Sequence, residues 1–236
     1  ACFDGNGLPI AGDRASITGA MEIVSTVIDH NTAAIGGGVD HNIGFSMIMT
    51  DTQLLSNQAD MAGGGLATRN DTGCSNNICP LVPQLTDVTI QGNHVISDGN
   101  ATGGGGIYMQ QSLKLNDVTL NGNSAEQGGG ILAYHTVLDQ YPVGIDATNV
   151  TLSGNSANDA GGAVYAAQGV AQFNNVTIAN NSAATEGGGI FSDPANSPTV
   201  SIQNSLLANN NANHNNETTT TTISLDMTSV PVGGRV

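Results

Sequence analysis

The sequence predicts an all-β chain: a right-handed parallel β-helix (β-solenoid) of about seven or eight coils with loop insertions, forming one domain over residues 1–236. Three observations predict it. A motif of aliphatic residue, two residues, Asn, small residues, glycines and a second aliphatic residue recurs along nearly the whole chain. The segments that open it, "DVTI", "DVTL", "NVTL" and "NVTI", are short, β-branched and alternating, which is a strand pattern. The composition has 32 Gly, 3% aromatic residues and no Trp, which suits a thin core of many similar layers better than a globular core filled by large rings. Helical repeats have similar periods, but glycine triplets in every turn would cost a helix roughly 1 kcal/mol per residue.

Each element of the motif has a physical reason. The aliphatic residues Ile28, Leu54, Ile90, Leu120, Leu152, Ile178 and Leu207 are expected to point inward, each packing on its equivalents in the coils above and below. Three residues on stand Asn31, Asn57, Asn93, Asn123, Asn155, Asn181 and Asn210, spaced 26, 36, 30, 32, 26 and 29 residues apart. These asparagines are placed at a corner, where Asn tolerates a left-handed backbone and its amide can bond the Asn of the next coil. Ala33, Ala59, Ala125, Ala157 and Ala183 keep the interior narrow just beyond. A glycine run then turns the chain, and Val39, Leu66, Ile107, Ile131, Val164 and Ile190 re-enter the core. The seventh motif, at Leu207 and Asn210, has no glycine turn after it.

The "[aliphatic]-x-x-N" and "GG[GA][ILV]" elements resemble the two signature motifs of the chlamydial polymorphic outer-membrane protein repeats, found among bacterial and archaeal surface proteins of the right-handed parallel β-helix class. The resemblance covers about residues 16–212, leaving 213–236 as a terminal coil or cap. In the chlamydial pattern the first motif usually begins with Phe, whereas all seven copies here carry Ile or Leu. The resemblance implies an extracellular or cell-surface structural or adhesive role, including a self-assembling fibre subunit, because this fold hosts adhesins, fibres and enzymes alike.

Charge narrows the partners. The net charge of -15 reflects a scarcity of bases, and Arg14, Arg69, Lys114 and Arg235 cannot form the basic footprint of a nucleic-acid binder. No apolar run is long enough to span a bilayer as a helix, so membrane insertion by this segment is not expected. The opening "ACFDGNGLPI" lacks the basic and apolar regions of a signal peptide, which reads as a mature or excised chain. The partners expected are therefore the chain itself, head to tail or laterally, or a surface protein or glycan.

Several residues are candidates for more than architecture. The position after the re-entering aliphatic residue should face outward, and there Tyr108, Leu132, Tyr165 and Phe191 would stack as an exposed ladder suited to sugar rings or a protein surface. The competing expectation is that a neighbouring insertion folds over them. The insertion "YHTVLDQYPVGID" gathers Tyr134, His135, Asp139, Tyr141 and Asp146, a binding loop or a plain surface loop covering the wall. Cys74 and Cys79 in "GCSNNICP" suit a local disulfide better than half a zinc site. Of the Asn-x-Ser/Thr sequons, Asn70 and Asn100 fall in expected loops and are the better glycosylation acceptors.

No cofactor is expected. Asp60, Glu126, Asp159 and Glu186 could stack to bind Ca2+, but their offsets from the glycines differ and the Gly-Gly-x-Gly-x-Asp repeat is absent, which favours solvated turn acids. Catalysis is not expected, since the chain has no Asp-Asp pair, no Gly-His-Gly and no Arg-x-Lys. A carbohydrate-binding or polysaccharide-processing β-helix is the alternative reading.

Overall fold

The computed structural model describes residues 20–42, 46–69, 82–96, 103–134, 144–213 and 223–225. These residues contain strands, turns and bends, with no helix among them. Three sheets of 12, 7 and 6 strands run along the stack, and every strand pairing among the described residues is parallel. The chain visits the sheets in a fixed order. In one coil it passes from Leu113–Asn121 in the first sheet to Ser124–Ala125 in the second and Ile131–Ala133 in the third. It then returns to the first sheet at Gly144–Thr148. This is a β-solenoid.

Among the described residues six coils contribute to all three sheets. The seventh adds Thr199–Gln203, Leu206–Ala208 and Asn211–Ala212 to the first two, and Ile223–Leu225 pairs one further strand onto Thr199–Gln203. The coils complete among the described residues are thus slightly fewer than seven or eight. The reason is visible in the motif, because the seventh copy lacks the glycine turn that leads each other coil into the third sheet.

The register makes the expected columns. Ile28, Leu54, Ile90, Leu120, Leu152, Ile178 and Leu207 pair in succession, as do Val39, Leu66, Ile107, Ile131, Val164 and Ile190. The two columns face each other in one central apolar core, with Met47, Met49, Leu85, Leu115 and Phe173 from the first sheet filling its width. Ala59, Val95 and Ala125, all on second-sheet strands, form a small separate cluster.

The glycine turn works by two different constraints. The first glycine of the run, such as Gly128, has φ +59°, a left-handed conformation that side chains disfavour. The glycine that follows the left-handed one, such as Gly105 after Gly104, has no left-handed φ, but a Cβ there would lie 2.5 Å from the carbonyl oxygens of Gly129 and Ser124. The next coil approaches too closely for any side chain. Strand stacking about 4.8 Å apart therefore dictates the second glycine, and turn geometry dictates the first.

Two corner assignments change. The left-handed residue at the asparagine corner is the one before the Asn: His30, Ser56, Gly92, Gly122, Gly154, Asn180 and Asn209. The column asparagines are not left-handed. A second column of left-handed residues, Ser25, Asp51, Asp87, Asp117, Asn149, Asn175 and Asn204, bends the first sheet. The Asp or Asn that opens each "DVTI"-type segment is therefore a left-handed bend: the strand runs on through Asp87 and Asp117, and breaks at Asn149 and Asn175 to resume at Thr151 and Thr177. Asp and Asn suit it because their short polar side chains bond locally and tolerate this backbone region.

Candidate functional site

The buried asparagine column is the most ordered polar feature of the protein. Asn57, Asn93, Asn123 and Asn155 are fully buried and Asn181 almost so. At each step two donors converge on one oxygen. Asn57 donates from its backbone N (2.9 Å) and from Nδ2 (3.0 Å) to Asn93 Oδ1, and Asn93 does the same to Asn123 Oδ1. The pattern continues through Asn155 and Asn181 to Asn210. The second Nδ2 hydrogen goes back to the aliphatic carbonyl of the preceding coil, as from Asn123 to Ile90 O at 2.9 Å. An amide side chain has two donors and two acceptor lone pairs, and within the column all four are used. That is why a polar group can occupy the core here without the usual burial cost.

The column has a direction. Each Oδ1 accepts only from the coil before it, and each backbone N donates only to the coil after it. At the first coil Asn31 donates to Asn57 Oδ1, while its own Oδ1 accepts nothing among the described residues. At the last, Asn210 Oδ1 accepts from Asn181 and its Nδ2 donates to Ile178 O.

Tyr108, Leu132, Tyr165 and Phe191 do stack in register on the third sheet, in one column with Asp40 and Ala67. The expectation of an exposed ladder is corrected by their burial: Tyr108 is 5% exposed, Leu132 0% and Phe191 7%, with only Tyr165 half-buried. The physical reason is the glycine turn. It folds the end of the second sheet back against the outer side of the third, so Ala62 and Ile35 pack with Ala67, Tyr108, Leu132 and Tyr165 in a second apolar cluster. Tyr134 stacks on Tyr108 with ring centroids 6.5 Å apart, and Tyr165 meets Phe191 at 4.8 Å.

Tyr165 is the member of this column whose chemistry is altered. Burial raises its hydroxyl pKa most, followed by the carboxylates of Asp193 and Asp159, the hydrogen bond to Asp193, and Glu186. Together they push it from the usual 10 to about 12. Asp159 is itself held by Thr185 Oγ1, which donates at 2.8 Å, and by Gln127 Nε2 at 3.0 Å.

The other sequence candidates scatter. Tyr134 follows a third-sheet strand, whereas Asp146 lies on the outer side of the first sheet in register between Lys114 and Gln172. His135, Asp139 and Tyr141 lie outside the described residues, as do Cys74, Cys79, Asn70 and Asn100. Among the described residues no three His, Cys, Asp or Glu side chains form a group able to hold a metal ion, and this includes Asp60, Glu126, Asp159 and Glu186.

Two arrangements were not anticipated. Arg69 forms a two-point ion pair with Asp40 on the neighbouring coil, Nε to Oδ1 at 2.9 Å and Nη2 to Oδ2 at 2.6 Å. On the inner side of the same strands, buried His41 lies next to Thr68, and Gln111 Nε2 bonds His41 Nδ1 at 3.2 Å. Thr68 Oγ1 is buried with no hydrogen-bond partner among the described residues. The signal was available, since strand alternation from Val39 places Asp40 outside and His41 inside.

No curated protein and no solved structure gives a match to the chain. Two consecutive coils, residues 149–167 and 175–193, match the family model of the Chlamydia polymorphic membrane protein (Chlamydia_PMP) repeat. Each match starts at a left-handed corner Asn, Asn149 or Asn175, contains the column Asn, Asn155 or Asn181, and ends just past the glycine turn on the third sheet. The chain is therefore a parallel β-solenoid whose repeats are similar to the Chlamydia polymorphic membrane protein repeat.

Proposed function

We propose that this protein is a structural module of the cell surface or extracellular space, a stiff solenoid segment that presents surfaces for adhesion or self-association. One observation carries the reading. The buried asparagine column ties each coil to the next by two hydrogen bonds through every step from Asn31 to Asn210, which makes the long axis of the stack its most cross-linked direction. The repeat match, to a family described as membrane proteins, supports a surface location. The test is negative-stain electron microscopy of the purified chain, with binding of the labelled chain to intact cells. Rods that bind cells support the proposal; compact particles without cell binding contradict it.

The second reading is carbohydrate binding at the end of the outer column. It is favoured by the half-buried Tyr165 ring against Phe191, with Asp193, Asp159 and Glu186 around its hydroxyl. A ring offers an apolar face and ionised carboxylates accept hydrogen bonds, the two kinds of contact that a sugar's C–H face and hydroxyls can take. A glycan array on the intact chain and on Tyr165→Ala tests it: binding lost in the variant supports this reading, and no binding to any glycan removes it.

A further inference from the structure

We propose that Asn180 is an attachment site for an N-linked glycan, carried on the corner between the first and second sheets. The inference rests on the surface location in the proposed function. Three Asn-x-Ser/Thr sequons fall among the described residues, opening at Asn149, Asn175 and Asn180. Such a sequon is an acceptor where the chain is exported across a glycosylating membrane. As sequence motifs the three are alike. The structure separates them.

Asn149 and Asn175 are exposed but engaged. Both belong to the left-handed residues that bend the first sheet, in register between Asp117 in the coil before and Asn204 in the coil after. Asn149 Nδ2 donates to Asp117 Oδ1 at 3.0 Å, and Asn175 Nδ2 donates to Asn149 Oδ1 at 2.6 Å. Nδ2 is the atom that would carry the sugar. A glycan on either residue replaces one hydrogen of an amide already in use. It must also leave between side chains about 4.8 Å away on both sides. The residues that complete these sequons, Thr151 and Thr177, are half-buried.

Asn180 differs in each respect. It is exposed, and its amide makes no hydrogen bond among the described residues. Its φ of +58° sets it on the left-handed corner between the strands Thr177–Ala179 and Ser182–Ala183. The equivalent residue of the coil before is Gly154, so that side of the acceptor amide is open, with Asn209 on the other. Ser182 is exposed too. Between them Asn181 is buried, its amide donating to Leu152 O and Asn210 Oδ1. Folding thus leaves the acceptor amide outside and hides its neighbour.

The transfer forms a bond from Asn180 Nδ2 to the anomeric carbon of an oligosaccharide carried on a polyprenyl diphosphate. The bond from that carbon to the phosphate oxygen breaks, the diphosphate leaves with its electron pair, and the amide gives up one proton.

The test is export of the full chain through a eukaryotic secretory pathway, followed by glycopeptide mass spectrometry of the purified protein. Asn180 should carry glycan, with occupancy severalfold above that of Asn149 and Asn175. Ser182→Ala should remove it and Ser182→Thr should keep it. Asn180→Asp, which suits a left-handed corner, should also remove it without moving the urea midpoint. A bare Asn180, or occupancy no greater than at Asn149 and Asn175, overturns the proposal. A chain bare at Asn180 that still binds cells sinks the glycan site alone. A chain glycosylated at Asn180 that binds no cell supports the site and counts only against the surface role.

Discussion

Asn93 and Asn123 stand one coil apart, and Asn93 sends both its backbone N–H and its side-chain amide to the single oxygen Asn123 Oδ1, at 2.9 and 3.0 Å. Neither residue is exposed to solvent. Removing the Asn123 amide strands both of these donors in the core and takes a side-chain donor from the Ile90 carbonyl and from Asn155 Oδ1, which keeps the Asn123 backbone N–H. Unsatisfied buried groups cost about 1–3 kcal/mol each, and relaxation recovers part of that. Asn123→Ala should therefore lower unfolding free energy by roughly 3–5 kcal/mol in urea titration. Asn31→Ala, at the exposed end, should cost less than about 1 kcal/mol. Equal losses would show that the column adds nothing to stability.

The glycine turns give a second contrast. Gly105→Ala forces a methyl against two backbone oxygens of the next coil, neither of which can move alone, and should cost roughly 3 kcal/mol or more. Gly122 has nothing within 4 Å of its added Cβ, and only its φ of +64° opposes a side chain. Gly122→Ala should cost about 1–2 kcal/mol. Thermal melts of the two variants check the order.

Much of this was legible in the sequence because a solenoid writes its geometry once per coil. The inward columns through Leu120 and Ile131 and the asparagine spacing follow from repetition alone. What was not legible depends on details that a repeat does not print. Asn123 looks like a left-handed corner residue, yet Gly122 takes that conformation, because Asn123 must hold a dihedral that aims its amide along the stack. Asp87 reads as the first residue of a strand, yet it is a left-handed bend within the strand Gln84–Gln91. Leu132 reads as outward-facing, which it is, but alternation cannot show that the neighbouring sheet end folds over it.

That burial has a consequence for the outer column. Leu132→Ala should destabilise the fold by about 2–5 kcal/mol, as a core truncation does, whereas an exposed ladder residue would change stability by under about 0.5 kcal/mol. Urea titration of the variant separates the two.

Tyr165 predicts a pH dependence. Its native pKa of about 12 lies above the usual 10, so at intermediate pH the native state keeps a proton that the unfolded chain has released. The native state then binds more protons, and stability falls as pH rises. The contribution is intact below pH 10 and is lost through about pH 12. Ultraviolet titration should show a late tyrosine ionisation that Tyr165→Phe removes, and Asp193→Asn should move it to lower pH. A wild-type titration superimposable on that of Tyr165→Phe would contradict the assignment.

Amide hydrogen exchange followed by NMR tests the central claim, that the asparagine column is the spine of the solenoid. The backbone amides of Asn57, Asn93, Asn123 and Asn155 each donate to a buried side-chain oxygen and should be among the slowest to exchange. The Asn210 amide, which donates to no such oxygen among the described residues, should exchange quickly. Exchange at Asn93 and Asn123 as fast as at Asn210 would mean that the column is not the structure's stable axis.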